Sequence, residues 1–483
     1  MKVPFSVNTQ NNPKPPPATA AAAYEPKSVL ELCGSPISNQ KPLILVDPQL
    51  VDWDSFSELG LHDHHDPNSV SKPTIHQLNS HPLTQIIPTD QYSNQLLQTD
   101  FGSLSDIPLI HDNSYSINSF DSFTSFDGYV NELIQLAESI DTNSLQLGNV
   151  LLSRLNQTLS SPAGKPLQRI AFYFKEALQC LLTESTRPSR HPTTSSEIIQ
   201  TIKAQKIFST ISPIPMFASF TANQAVLDVM DNSTSVHVID FDIGLGGHWA
   251  SFMKDLASRA TPPPALRISA VVCEQYGVES RLIRESLVQF SRELNIDRFV
   301  IDFISVRTFE YLSFRSIKFT DGEKVAVLLS PEIFHRVGTE FLNDLPQVSP
   351  YVVVHVGIQG GLDSGSSSSC RQAVIDGIEL YSALLESLEA AESDGGGDWV
   401  QMIEAFVVFP MIVEAAGRRG IGSREALAAA GLREAGLSQL AELQAECLVR
   451  RGRVEGFHVV KQQAEMLLCW HDRPIVATSA WKY

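Results

Sequence analysis

At 483 residues with 43% hydrophobic content, the chain is too long for one ordinary core and rich enough in apolar side chains for two or three packed units. Its net charge of −18 excludes a protein that binds nucleic acid by bulk electrostatics alone, because neutralising phosphates needs a basic surface. Its six cysteines, Cys33, Cys180, Cys273, Cys370, Cys447 and Cys469, form no C-x-x-C pair, which argues against a zinc ribbon or a disulfide scaffold and suits thiols in a reducing compartment.

No apolar signal-like run opens the sequence. The most apolar later stretch, Ala405 to Val413, reads as too short to span a bilayer and is interrupted by Pro410. A cytoplasmic or nuclear protein is expected. Residues 1–125 are rich in Pro, Ser, Asn, Gln and Asp and hold no persistent period, the composition of a disordered acidic and polar tail. Up to Asp127 there are 14 acidic residues against 5 lysines, half of the net charge. Two acidic-aromatic patches stand in the tail, Val51 to Phe56 and Phe120 to Asp127, and suit either docking segments or a solvated linker. His62, His64 and His65 read as a surface cluster, since nothing nearby fixes a metal geometry, and no metal is expected elsewhere.

Residues 128–230 read as all-helical. Three apolar stripes recur at helical spacing: Val130, Leu133, Ala137, Ile140; Leu151, Leu152, Leu155, Leu159; and Leu167, Ile170, Phe174, Leu178, Leu181. Leu178 to Leu182 also spells L-x-x-L-L, which core packing explains. After the break at His191 to Thr194, Ser196 is the expected cap of a helix holding Ile198, Ile202 and Phe208.

From Ser235 the pattern changes. Val236, Val238, Ile239 and Phe241 form a strand buried on both faces. Asp242-Ile243-Gly244-Leu245-Gly246-Gly247 turns the chain, and Trp249, Phe252, Met253 and Leu256 follow at helical spacing. An acid, close glycines and a helix open doubly wound α/β folds, often over a ligand. The spacing is similar to the first motif of S-adenosylmethionine-dependent methyltransferases, with His248 where a further glycine is expected. Asp242, Gly244, Gly246 and Gly247, with Glu274 at the tip of the second strand, are therefore candidate ligand-pocket residues. The alternative is a sharp turn and an ordinary polar strand end.

Further strands are predicted over Leu266 to Cys273, Phe299 to Val306, Lys324 to Leu329 and Tyr351 to Val356. Helices are predicted over Glu279 to Leu294 and Gln372 to Ala391, with a Gly/Ser-rich loop from Gly360. Glu455 to Val460, Met466 to Trp470 and Pro474 to Trp481 read as a late antiparallel set. The implied fold is α/β: a mostly parallel sheet with helices on both faces and a helical cap.

The motifs converge on one family. Val236-His237-Val238-Ile239-Asp240 is similar to the VHIID motif of the GRAS transcriptional regulators of plants. Leucine-rich stretches flank it, and Leu468-Cys469-Trp470 and Ser479-Ala480-Trp481 resemble the L-x-W and SAW elements. Leu437 to Cys447 and Cys469 to Pro474 resemble the hairy-meristem, scarecrow-like branch. The resemblance divides residues 126–483 into leucine-rich region I (127–188), a VHIID region (207–272), leucine-rich region II (279–310), a PFYRE-like region (324–415) and a SAW region (418–483). The sequence departs from the pattern at the early tryptophan of the SAW region, in a partly legible PFYRE stretch, and in a degenerate Arg418-Arg419-Gly420 element.

The resemblance implies a Rossmann-like, methyltransferase-shaped core without a cofactor and a non-enzymatic nuclear regulator. It also implies partnership with WUSCHEL-type homeodomain proteins in shoot meristem maintenance, and contacts with itself or other GRAS proteins. A methyltransferase or small-ligand sensor is the competing reading. Leu329-Ser330-Pro331-Glu332 stands after the fourth strand without the Asn and aromatic that grip an amine target, and no paired nucleophile and base is visible. Leu136, Leu147 and Leu152, off the main seam, are the expected exposed partner face. Arg418, Arg419, Arg450, Arg451 and Arg453, with Arg424 and Arg433 nearby, are candidate DNA contacts.

Overall fold

A computed structural model describes residues 128–183, 194–358, 369–391, 398–417, 422–452 and 454–483. The tail 1–125 with its patches and histidines, and Arg418, Arg419 and Arg453, lie outside the described residues.

The first part is helical, as the stripes predict: α1 Gly128–Asp141, α2 Leu145–Thr158, α3 Pro166–Leu182, α4 Ser195–Ile211 and α5 Pro213–Val229. The cap of α4 is Thr194, two residues before the expected Ser196. Its hydroxyl accepts from Glu197 N while the Glu197 carboxylate accepts from Thr194 N, a reciprocal capping box. Then strands and helices alternate: β1 Ser235–Asp240, α6 Gly247–Arg259, β2 Ala265–Val272, α7 Gly277–Glu293, β3 Phe299–Ser305, α8 Val306–Leu312, β4 Lys324–Leu329, α9 Pro331–Val337, α10 Leu345–Val348 and β5 Val352–Gly357. After these come α11 Cys370–Ala390, α12 Asp398–Ile403, a π-turn Glu404–Val408, α13 Phe409–Gly417, α14 Ser423–Ala429, β6 Arg433–Ala435 and α15 Gln439–Arg450. The late strands β7 Phe457–Gln462, β8 Glu465–Trp470 and β9 Arg473–Lys482 close the chain. The short β6, which pairs with β9, carried no sequence signal of its own.

The sheet runs β3-β2-β1-β4-β5-β9-β8-β7. β1 through β5 pair in parallel, β9 runs antiparallel to β5, and β7 and β8 continue antiparallel. The chain leaves β1 toward β2 and β3, then returns to place β4 on the other side of β1. The carboxyl ends of β1 and β4 therefore form a topological switch point, where open α/β sheets leave a crevice.

Alternation along the strands sorts their side chains. Val236, Val238, Ile268, Ala326 and Val354 join one core with helices α1 to α3, α5, α6 and α11. Ile239, Val271, Val327, Val353 and Trp481 join a second core with Phe309, Phe314, Phe341 and Leu427. The SAW element is internal: Ser479, Ala480 and Trp481 are buried and Trp481 Nε1 donates to Ser479 Oγ at 2.9 Å. Trp470 is buried against Phe457, at 4.8 Å between ring centroids. There Gly456, at φ +111°, admits the ring; an added Cβ would stand 2.7 Å from Trp470 Cζ3.

The apolar run around Pro410 departs from expectation. Asp398–Gly417 forms one helical segment of 20 residues, long and apolar enough to cross a membrane by length and composition, with half of its apolar window buried in the protein. The π-turn directly before Pro410 widens the ladder where the ring would clash, so the helix continues through it. Ile403, Val408, Ile412 and Ala416 lie in the core.

Helices α1 to α3 are anchored to the rest by polar contacts as well as by apolar ones. Asp141 accepts from Cys370 N at 2.8 Å and Arg371 N at 3.0 Å, capping α11. Arg169 reaches Glu389 at 2.7 Å and the buried Glu404 at 3.0 Å, and Tyr173 Oη donates to Glu404 at 3.2 Å. Burial pushes the Glu404 carboxyl up against the pull of Arg169, and pushes the Tyr173 hydroxyl up as well.

Candidate functional site

The turn after β1 is held by Asp240. Its Oδ1 accepts from Asp242 N at 2.9 Å and its Oδ2 accepts from Trp249 Nε1 at 2.9 Å, with His248 Nε2 at 3.3 Å. Gly246 takes φ +77° and caps α6. An added Cβ there would stand 2.9 Å from Ile283 Cγ2, so its missing side chain lets α7 pack against the turn.

Beside this turn lies a cavity of about 230 Å³ at the carboxyl ends of β1, β4 and β5. Asp240, Asp242 and His248 line one side, Ser330, Pro331 and Glu332 another, and Tyr381, Met411 and Glu414 come from α11 and α13. The structure thus brings Asp242 to the cavity but leaves the other candidates outside its lining. Gly244, Gly246 and Gly247 shape the turn, and Glu274 accepts from Arg307 N at 3.3 Å, beside β3. The cavity opens toward β4 and β5, away from the second-strand tip where a ribose was expected.

Ser330, Glu332, Tyr381 and Glu414 were not selected from the sequence as pocket residues. Tyr381 and Glu414 come from elements far in the chain from the adjacent Ser330 and Glu332 and share no spacing with them. The one available signal was positional: residues just beyond the ends of β4 and β5 face a switch-point crevice.

In the motif strand, Val236, Val238 and Ile239 are fully buried core residues. His237 is also fully buried, with Nε2 2.9 Å from Ser269 Oγ and Nδ1 3.2 Å from Glu323 Oε2. Burial pushes the His237 imidazole down to about 4, against the opposing pull of Glu323. Burial pushes the Glu323 carboxyl up, but Arg267 at 3.0 Å, Thr320 N and His237 outweigh it and hold it below the usual range.

The expected partner face needs correction. Leu136 (0% exposed) and Leu152 (8%) lie in the core because α2 and α3 close over both edges of the stripe; only Leu147 (52%) is exposed. The apolar residues that α2 shows to solvent are Leu145, Leu147 and Val150, and Leu147 and Val150 share a face by their spacing of three. Leu133, Leu155 and Phe174 are internal as expected, and Gly377 admits the Phe174 ring, which an added Cβ would meet at 2.5 Å. Of the basic residues, Arg450 is exposed and reaches Glu446 at 2.8 Å, and Arg451 and Arg433 are exposed. Arg424 is drawn into pairs with Glu434 and with Glu465 at 3.5 Å, a structural role.

The GRAS domain family model matches residues 129–482. "Scarecrow-like protein 15" of Arabidopsis thaliana is 45% identical over 455 residues, covering 90% of this chain and 93% of that protein. "Scarecrow-like protein 6" of the same plant is 34% identical over 368 residues, 74% of this chain and 63% of that protein. The crystal structure of SCL7 in Oryza sativa has a TM-score of 0.58 at 24% identity, covers 74% of this chain and 100% of that chain, and shows the shared fold. The chain belongs to the GRAS domain family, whose members are plant transcriptional regulators.

Proposed function

We propose that the protein is a nuclear, non-enzymatic cofactor of transcription that acts with homeodomain partners of the WUSCHEL type in shoot meristem maintenance. The observation that carries the reading is how the methyltransferase-like turn is used. Asp240 gives both carboxylate oxygens to Asp242 N, Trp249 and His248, and Glu274 reaches back to Arg307 N. Asp240 and Glu274 are thereby engaged in holding the fold, and of the candidate pocket acids only Asp242 stands at the cavity. Partners dock on the cap, where α2 presents Leu147 and Val150, and also include a second copy or another GRAS protein. Arg450 and Arg451 add direct phosphate contacts where the partner brings DNA close.

Chromatin occupancy measured with and without the homeodomain partner tests this reading. Partner-dependent occupancy is expected, and occupancy indifferent to the partner contradicts it. Equilibrium binding of S-adenosylmethionine to the full chain tests the competing methyltransferase; saturable binding with methyl transfer would replace the regulator reading.

A further inference from the structure

The outer face of α8 and of the 3₁₀ turn after it, Ser313–Ser316, is apolar and basic at once. Tyr311 is 82% exposed, more than any other large apolar side chain among the described residues, and Leu312 beside it is 50% exposed. Arg307 precedes Tyr311 by four residues, the spacing that sets two side chains together on a helix. Arg315 and Lys318 follow, and all three cations are exposed. Among the described residues none of the three is in an ion pair. Within Val306 to Thr320 Glu310 is the only acid, and outside it Glu274 accepts from Arg307 N at 3.3 Å. The segment is held from beneath, because Phe309, Phe314 and Ile317 lie in the second core. An exposed apolar patch on a fixed base marks an interaction site.

The chain carries a segment of matching chemistry. From Pro42 to Ser71 there are six acidic residues and no Lys or Arg, and Val51-Asp52-Trp53-Asp54-Ser55-Phe56 stands in the middle. The other acidic-aromatic patch, Phe120 to Asp127, has two acids and ends at α1, which packs in the core on the opposite face of the sheet from α8. Its eight residues reach at most about 28 Å. Charge and reach both favour the earlier segment.

We propose that Val51 to Phe56 docks on α8 of its own chain, with Asp52 and Asp54 against Arg307 and Arg315 and the Trp53 ring on Tyr311 and Leu312. Carboxylate–guanidinium pairs supply charge-assisted hydrogen bonds, and an indole ring beside a guanidinium adds a cation–π contact. Residues 57–127 provide the tether; a coil of that length has an end-to-end distance of roughly 45 Å. Such a tether holds the segment at an effective concentration on the order of a millimolar, so a contact with a Kd of about 0.1 mM is about 90% formed. The segment and the α8 face then occlude each other, and a partner that takes either one releases the other. This surface is separate from the partner face on α2, so the two proposals stand or fall apart.

The test is hydroxyl-radical footprinting of the full chain, read residue by residue by mass spectrometry, with Tyr483 (49% exposed) as the internal reference. The combined variant Asp52→Asn, Trp53→Ser, Asp54→Asn changes nothing within the folded domain. In it Tyr311 should label about tenfold faster than in the native chain, the factor expected when a face covered about 90% of the time is uncovered. Tyr483 should label equally in both. Conversely, Arg307→Ser with Arg315→Ser should expose Trp53 to faster labelling, with circular dichroism establishing the fold. If that pair does not fold, the tail variant decides alone. The protection should be the same at protein concentrations a hundredfold apart, since the contact is within one chain. Equal labelling of Tyr311 in the native chain and the tail variant overturns the proposal. So does protection that fades on dilution, which would assign the face to the tail of a second copy. Unchanged Trp53 labelling in the folded arginine variant overturns it as well, because the segment would then dock elsewhere.

Discussion

The two leucine-rich regions carry the same kind of residue to different ends. Region I folds into α1, α2 and α3, a cap that packs on α11 and is held by the Arg169–Glu404 and Asp141 contacts. Region II contains no bundle. Its helix α7 and strand β3 belong to the sheet layer, and Ile283 packs against Gly246 in the turn after β1. Helical apolar spacing therefore identifies a face that is covered, and leaves open what covers it. Region I covers most of its stripe internally and leaves Leu147 and Val150 on α2 in solvent, whereas region II buries Leu282, Ile283 and Leu287 of α7 against the sheet, half-buries Phe290 and Leu294, and leaves Val300 of β3 exposed.

The largest expected effect would erase that distinction. Leu136→Glu in region I and Leu287→Glu in region II each place a charge in a packed core and should each cost upward of about 4 kcal/mol, read as lost soluble yield and a collapsed thermal midpoint. A tolerated Leu136→Glu would mean that the cap is looser than the sheet. Arg169→Ala removes one partner of a buried ion pair and should cost about 3–5 kcal/mol in denaturant melts, testing the anchorage of region I. Gly246→Ala tests the anchorage of region II; a side chain at φ +77° meeting Ile283 should cost about 1–3 kcal/mol.

Acidity separates the sheet floor from region II. The unfolded His237 binds its proton near 6.5 and the folded one only near 4, so the unfolded state holds more protons in that window. The His237 contribution to stability is thus complete above 6.5 and is lost as pH falls toward 4. Buried Glu279, in α7, has the opposite sign. Burial raises its folded pKa, so its contribution is present below the ordinary 4.5 and is lost as pH rises through the raised value. Glu279→Gln should therefore raise stability at neutral pH, and His237→Gln should flatten the acid limb of the stability profile. Urea melts across pH check both.

Much of the fold was legible because strands buried on both faces leave continuous β-branched runs: β1, β2, β4 and β5 lie where Val, Ile and Leu cluster, within a residue or two, and the half-buried edge strand β3 carries a similar run. Trp470 and Trp481, which end the late apolar runs, are core residues. The short β6 was not, because three residues carry no period, and neither was the π-turn that carries the helix past Pro410. The site was half legible. Asp242 reaches the cavity, but Glu332, Tyr381 and Glu414 meet there only through tertiary packing, and Glu274 was misplaced because the crevice opens on the β4 side of β1. Leu136 and Leu152 were misjudged because position around a helix does not reveal a neighbour on its second edge.

The smallest expected change in stability carries the sharpest test of function. Leu147→Glu with Val150→Glu alters an exposed face and should shift stability by no more than about 0.5 kcal/mol. The measurement is the affinity of this double variant for the proposed homeodomain partner, taken beside its circular dichroism spectrum and thermal midpoint. A partner face on the region I cap predicts binding weakened by about tenfold or more in a normally folded protein. Full affinity in the folded double variant would contradict that claim.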